Sequence, residues 1–180
     1  MRSIGCRLCE SALFYENKTD IKFMDIKEQT CCFTGHRIIA KDEKNKIFDK
    51  TREVVIFLIK NGVKFFEVGG AIGFDTIAAH VVLSLKDEFP FIKLTVVCPC
   101  RDQDVKWRKS DKAVYRDILA RADDVVVLAD AYFEGCMQLR NERLVDNSKY
   151  CVCFLKHKGG TQNTVDYARS KDLFIFNVAE

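Results

Sequence analysis

From Thr30 onward, short apolar runs alternate with longer stretches in which apolar residues recur at helical spacing. The runs predict strands near 30–34, 63–68, 92–98, 123–129, 150–155 and 173–177. The stretches between them predict helices over Glu43 to Lys60, Gly73 to Lys86, Asp104 to Arg121, Cys136 to Ser148 and Thr161 to Lys171. In the first of these, Val54, Val55, Leu58 and Ile59 share one face. Strand alternating with helix implies βαβ units. The segments Leu94-Thr95-Val96-Val97 and Val125-Val126-Val127-Leu128 are nearly continuous in apolar residues, the pattern of strands buried on both faces. The expected fold is therefore α/β: a Rossmann-like three-layer sandwich with a mostly parallel sheet of about six strands.

Residues 1–29 lack this periodicity and read as an N-terminal extension, leaving 30–180 as the domain. A chain of 180 residues buries a full core as one ordinary domain. No repeat, low-complexity tract or proline-rich linker divides it, and its two prolines, Pro90 and Pro99, flank the third predicted strand.

Charge adds little to this picture. The 29 Lys and Arg against 26 Asp and Glu leave a formal net charge of +3, and the basic residues are dispersed, which argues against a dedicated nucleic-acid binder. No apolar run is long enough to span a bilayer and no secretory signal is evident, so the expectation is a soluble cytoplasmic protein with no membrane partner. Nine cysteines are an odd number, and Cys31, Cys32, Cys151 and Cys153 sit inside strand-like runs. Buried reduced thiols fit them better than a disulfide framework. The pair Cys6 and Cys9 has the spacing of half a zinc site, but no second half follows, so no metal is expected.

Candidate chemistry lies just after the strands, because ligands of open parallel sheets bind outside the carboxyl ends. The first strand runs into Gly35-His36-Arg37. The second runs into Gly69-Gly70-Ala71-Ile72-Gly73-Phe74-Asp75, a strand, tight loop and helix start. Unpaired N–H groups and partial positive charge at such a helix start hold anions. The fourth helix carries Arg140-Asn141, and the fifth strand runs into Gly159-Gly160-Thr161, followed by Thr164 and Asp166. Trp107, between Lys106 and Arg108, suits a half-exposed ring able to stack on a base. Each residue also has a plain structural reading: His36 as a hydrogen-bonded histidine, Arg37 as a solvated charge, Asp75 as a helix-dipole partner, Thr161 as an N-cap. Their convergence at one sheet edge favours a phosphate-bearing ligand. The glycine spacing, with no acid ending the next strand, argues against ordinary dinucleotide-linked redox chemistry, and no nicotinamide or other cofactor is expected. The P-loop and the nucleophile-elbow motif are absent from the sequence.

Several longer motifs occur together and in order. They are Cys32-Phe33-Thr34-Gly35-His36-Arg37, Gly69 to Asp75, Gln103 with Trp107, Tyr115 before Ala122-Asp123, Arg140-Asn141 with Leu144-Val145-Asp146 and Ser148, and Gly159-Gly160-Thr161 with Thr164-Val165 and Tyr167-Ala168. From residue 30 to the end the chain resembles the YspA/YpsA-type SLOG family, of the superfamily that includes the LOG phosphoribohydrolases and the DNA-processing protein DprA. The resemblance implies binding of a nucleotide or nucleotide-derived small molecule, in a sensing, carrying or sequestering role, at the C-terminal edge of the sheet. It implies a phosphate cradled by Gly69, Gly70, Gly73, Gly159, Gly160 and Thr161, with Arg140 and Asn141 completing the pocket and Arg37 and Asp75 on its rim. Related folds associate through helices, so a homodimer is compatible with it.

The LOG resemblance supplies an alternative, cleavage of a nucleotide's N-glycosidic bond. There Arg140 would hold phosphate and Asp166 would stabilise oxocarbenium-like charge or orient water. Lys158, Gln162 and the shorter carboxylate of Asp166 depart from the LOG signature, so binding is favoured over hydrolysis. Single-stranded DNA binding has one candidate cluster, Lys106 to Lys109, and is favoured least.

Overall fold

The computed structural model describes residues 25–179. A short 3-10 turn, Ile26–Gln29, leads into the first strand, and the remainder of the predicted extension, with Cys6 and Cys9, lies outside the described residues. Six strands follow: β1 (Thr30–Gly35), β2 (Phe65–Val68), β3 (Lys93–Cys98), β4 (Asp124–Val127), β5 (Tyr150–Phe154) and β6 (Phe174–Asn177). Five helices connect them: α1 (Lys44–Lys60), α2 (Phe74–Ser84), α3 (Lys109–Arg121), α4 (Cys136–Asp146) and α5 (Gly160–Ser170). The strand order is β4-β3-β2-β1-β5-β6 and every pairing is parallel.

Parallel strands require a crossover for each connection, and the predicted helices supply them. Helix α1 packs on α2 and α2 on α3 over one face of the sheet, while α4 packs on α5 over the other. Each face has its own apolar core, one around Phe33, Phe66, Phe74 and Phe154, the other around Cys32, Val97, Leu144, Val145 and Val165. The alternation of these residues along β1 and β5 divides the two cores between the layers. The seven cysteines among the described residues are buried and outside any disulfide, as the strand-like runs around Cys31, Cys32, Cys151 and Cys153 implied.

Two expectations need correction. Strand β4 is not buried on both faces: Val125 and Val127 are 38% and 37% exposed. It forms the sheet's edge, pairing with β3 alone, and α3 covers it incompletely. Helix α3 begins at Lys109, not near Asp104. Residues 101–107 instead form turns, with Val105 N–H on the Asp102 carbonyl (3.1 Å) and Trp107 N–H on that of Asp104 (2.9 Å). These turns carry Gln103 and Trp107 inward against Tyr115, a path that a regular helix starting at Asp104 would not follow.

Asp123 anchors the start of β4. Its carboxylate accepts from Lys86 Nζ (2.5 Å), Lys93 Nζ (3.2 Å) and the Leu94 N–H (2.8 Å). Partial burial alone would raise its pKa, but these donors outweigh it and hold the carboxyl below its ordinary value. A folded-state pKa below the unfolded one means that the unfolded chain binds the proton more tightly. The stabilisation is thus full above about pH 4 and is lost as pH falls through the folded-state pKa. Asp123→Asn is expected to cost about 1–2 kcal/mol near neutral pH, and less in acid, by urea denaturation across that range.

Candidate functional site

The chain runs outward from β1 to β4 on one side and returns through β5 and β6 on the other, so the topological switch lies between β1 and β5. There a cavity of about 350 Å³ opens at the strands' carboxyl ends. Its walls come from four segments: Phe33 to Arg37 at and just beyond the end of β1, Ala71 and Asp75 before and within the start of α2, Met137, Arg140 and Asn141 on α4, and His157 with Gly159 to Thr161 before and within α5. Gly35, His36, Arg37, Asp75, Arg140, Asn141, Gly159, Gly160 and Thr161, all singled out from sequence, are brought together here.

The two glycine segments differ in what they leave open. At Gly69, Gly70 and Gly73, before α2, protein atoms occupy the space a side chain would need. The Arg140 guanidinium donates to the Gly69 carbonyl and occupies the place where a β-carbon on Gly69 would stand. Gly70, at φ +63°, fits against Val96, Tyr115 and Gln103. Gly73, at φ +90°, lies against the His36 and Arg37 backbone, and the Phe74 N–H donates to the His36 carbonyl (3.1 Å). Asp75 turns its carboxylate back onto the Ala71 N–H (3.2 Å), filling with its own charge the place that sequence assigned to a phosphate. Gly69, Gly70 and Gly73 are thus packed against protein atoms and none of the three lines this cavity, whereas Gly73 lines a neighbouring cleft with Arg37, Thr76 and Arg108.

Asp75 and Arg140 form a buried pair, with Nη1 to Oδ2 at 3.9 Å and both side chains more than nine-tenths buried. Burial pushes the Asp75 carboxyl up, against the lowering effects of Arg140, the Ala71 N–H and Arg37. The Arg140 Nε donates to Asn141 Oδ1 (2.8 Å), and Asn141 Nδ2 donates to Thr164 Oγ1 (3.0 Å), so the network continues from α2 through α4 to α5.

Around α5 the space is open. Among the described residues, a β-carbon added at Gly159 or Gly160 would meet no atom within 4 Å, and no side chain caps the helix start. The first-turn N–H groups thus face the cavity with their share of the helix dipole. His36 fixes the loop leading to them. Its Nε2 accepts from the Lys156 N–H (3.0 Å), its Nδ1 lies 3.4 Å from Thr161 Oγ1, and its ring stacks on His157 with centroids 3.8 Å apart and planes 12° from parallel. Burial, His157 and Lys156 hold its pKa below the ordinary histidine value, so the neutral ring with Nε2 as acceptor is favoured.

Three other sequence-predicted residues take different places. Thr164 lies one turn along α5, where its hydroxyl donates to the Gly160 carbonyl (3.1 Å). Asp166 lies on the exposed side of α5, bonded to Gln162 (2.8 Å) and Arg169 (2.7 Å), and does not line the cavity that Arg140 lines. Trp107 packs edge-on against Tyr115 (5.2 Å), behind the Gly70 loop and away from the cavity. Two wall residues, Met137 and His157, stand within the segments that sequence singles out, Met137-x-x-Arg140-Asn141 and Lys156-His157-Lys158, but sequence gives neither a role in the site. His157 stands two residues before Gly159, but its stacking on His36, 121 positions away, has no signal in sequence.

Among the described residues, no helix is long and apolar enough to cross a membrane. The model of the YpsA family, described as the YspA SLOG family, matches residues 32–174. The SPbeta prophage-derived protein YoqJ of Bacillus subtilis is 31% identical over 138 residues, which cover 69% of this chain and 81% of YoqJ. A UPF0398 protein of Halalkalibacterium halodurans is 38% identical over 96 residues, 52% of this chain and 51% of that protein, so the chain spans about half the length of this relative. Among solved structures, DNA processing protein A from Streptococcus pneumoniae superposes with a TM-score of 0.62 at 18% identity, over 84% of this chain and 50% of that one. At this identity the likeness concerns the fold.

Proposed function

Because the chain belongs to the YspA SLOG family, we propose that it binds a nucleotide or nucleotide-derived small molecule in the switch-point cavity, with the phosphate on Gly159, Gly160 and Thr161. The observation that carries this reading is the uncapped start of α5 facing a cavity that also presents His36, Arg37 and Arg140. Free N–H groups there supply directed donors and the nearby guanidinium groups supply long-range attraction. Binding is preferred to N-glycosidic cleavage because Asp166 bonds Arg169 at the surface, outside the cavity that Arg140 lines. The role is that of a sensor, carrier or sequestering protein.

Saturation with a nucleoside monophosphate at about 100 times its Kd is expected to stabilise the fold by about 2.7 kcal/mol, a rise of roughly 5–10 °C in Tm. Chromatography of the same mixture is expected to show no free base. Absence of any shift across a panel of ribonucleotides and ribose 5-phosphate would overturn the binding reading. Release of base that Asp166→Asn abolishes would replace it with hydrolysis.

A further inference from the structure

A larger hollow of about 700 Å³ lies beside the switch-point cavity, between α4 and α5. Met137, Asn141 and Gly160 line both, so the two adjoin. Their chemistry is opposite. The smaller is ringed by Arg37, Arg140 with its partner Asp75, two imidazoles and the open helix start. The larger presents the amides of Gln138, Asn141 and Asn163, the Tyr167 ring, and the carboxylates of Glu142 and Asp166, and none of the described residues lining it is Lys or Arg.

A phosphate in the larger hollow would meet two carboxylates, only Asp166 being paired with a cation, Arg169, and none of the hollow's lining is cationic, so it is disfavoured there. A planar group that donates N–H bonds is favoured, because the carboxylates retain acceptor capacity. Gln162 and Arg169 both bond Oδ1 of Asp166, and Gln138 bonds Oε1 of Glu142 (2.8 Å). Oδ2 and Oε2 are left to accept. Met137 and the Tyr167 ring give apolar and aromatic surface for a flat ring. Along α5, Gly160 and Tyr167 are seven residues apart. That is about 10 Å of helix, which suits one nucleoside monophosphate and is short for a dinucleotide.

We infer that the α4/α5 hollow is the base subsite of the ligand proposed above, and that it selects a base bearing an exocyclic amino group. The inference rests on the nucleotide-binding reading, and calorimetry on the full chain separates the two. AMP is expected to bind at least about tenfold more tightly than IMP or ribose 5-phosphate. Glu142→Gln combined with Asp166→Asn should bring AMP and IMP within about threefold of each other. Asn163→Trp, at an exposed position on α5, should fill the hollow and remove the advantage of AMP while leaving ribose 5-phosphate binding unchanged. If ribose 5-phosphate binds but AMP gains nothing over it, or if AMP and IMP bind equally in the unaltered chain, the base subsite is overturned and the phosphate site stands. If none of the three binds, the nucleotide reading itself falls.

Discussion

Arg140→Ala is expected to lower stability by about 3–5 kcal/mol, because removing one partner of a buried pair leaves the other charge uncompensated. The Asp75 carboxylate would lose the guanidinium 3.9 Å away, and the Gly69 carbonyl would lose its donor. For a chain of this size the loss corresponds to roughly 6–20 °C in Tm. The pH dependence identifies the cause. Asp75 is already pushed up by burial, and without Arg140 its pKa rises further. A carboxyl whose folded-state pKa exceeds its unfolded value makes the folded state bind more protons, so stability falls as pH rises between the two values. The variant should therefore be closer to the unaltered protein at about pH 4.5 than at about pH 8, and Asp75→Asn in the same chain should restore part of the loss at the higher pH. A deficit independent of pH and unrelieved by Asp75→Asn would mean that Arg140 acts through packing alone.

Arg140 and Asp75 are both legible in sequence as members of one cluster, since each follows or faces a strand end. Their pairing is not legible, because 65 residues separate them and nothing in either motif says that one satisfies the other. The fold is the more readable part. The six strands and five α-helices of the described residues announce themselves through periodicity, and the departures occur where tertiary contact overrides it. Gln103 and Trp107 are drawn against Tyr115 at the cost of α3's expected first turn, and β4 is apolar enough for an interior strand yet ends at the sheet's edge. Glycine content predicts two similar anion loops. Sequence cannot tell a glycine required by neighbouring protein atoms from one that leaves room for a ligand, and the structure separates these two cases.

Substitution at the two loops should therefore give opposite results. At Gly73 a β-carbon would stand about 2.5 Å from the His36 and Arg37 carbonyl oxygens, which are backbone and cannot swing away, and φ +90° strains any L side chain. Gly73→Ala is expected to destabilise by at least about 3 kcal/mol, combining overpacking with backbone strain, and to displace the His36 loop. At Gly160 a β-carbon meets nothing within 4 Å, and the residue sits in the first turn of α5 without a positive φ. Gly160→Ala should leave stability unchanged or raise it by up to about 1 kcal/mol, since alanine has less unfolded-state freedom to lose. The added methyl instead stands where the phosphate is proposed to approach the helix start. Thermal melts with and without ribose 5-phosphate should show an intact Gly160→Ala fold with most of its ligand-induced shift removed. An unchanged shift would move the phosphate away from α5, whereas a Gly73→Ala chain as stable as the unaltered protein would mean that the α2 loop has room the packing denies.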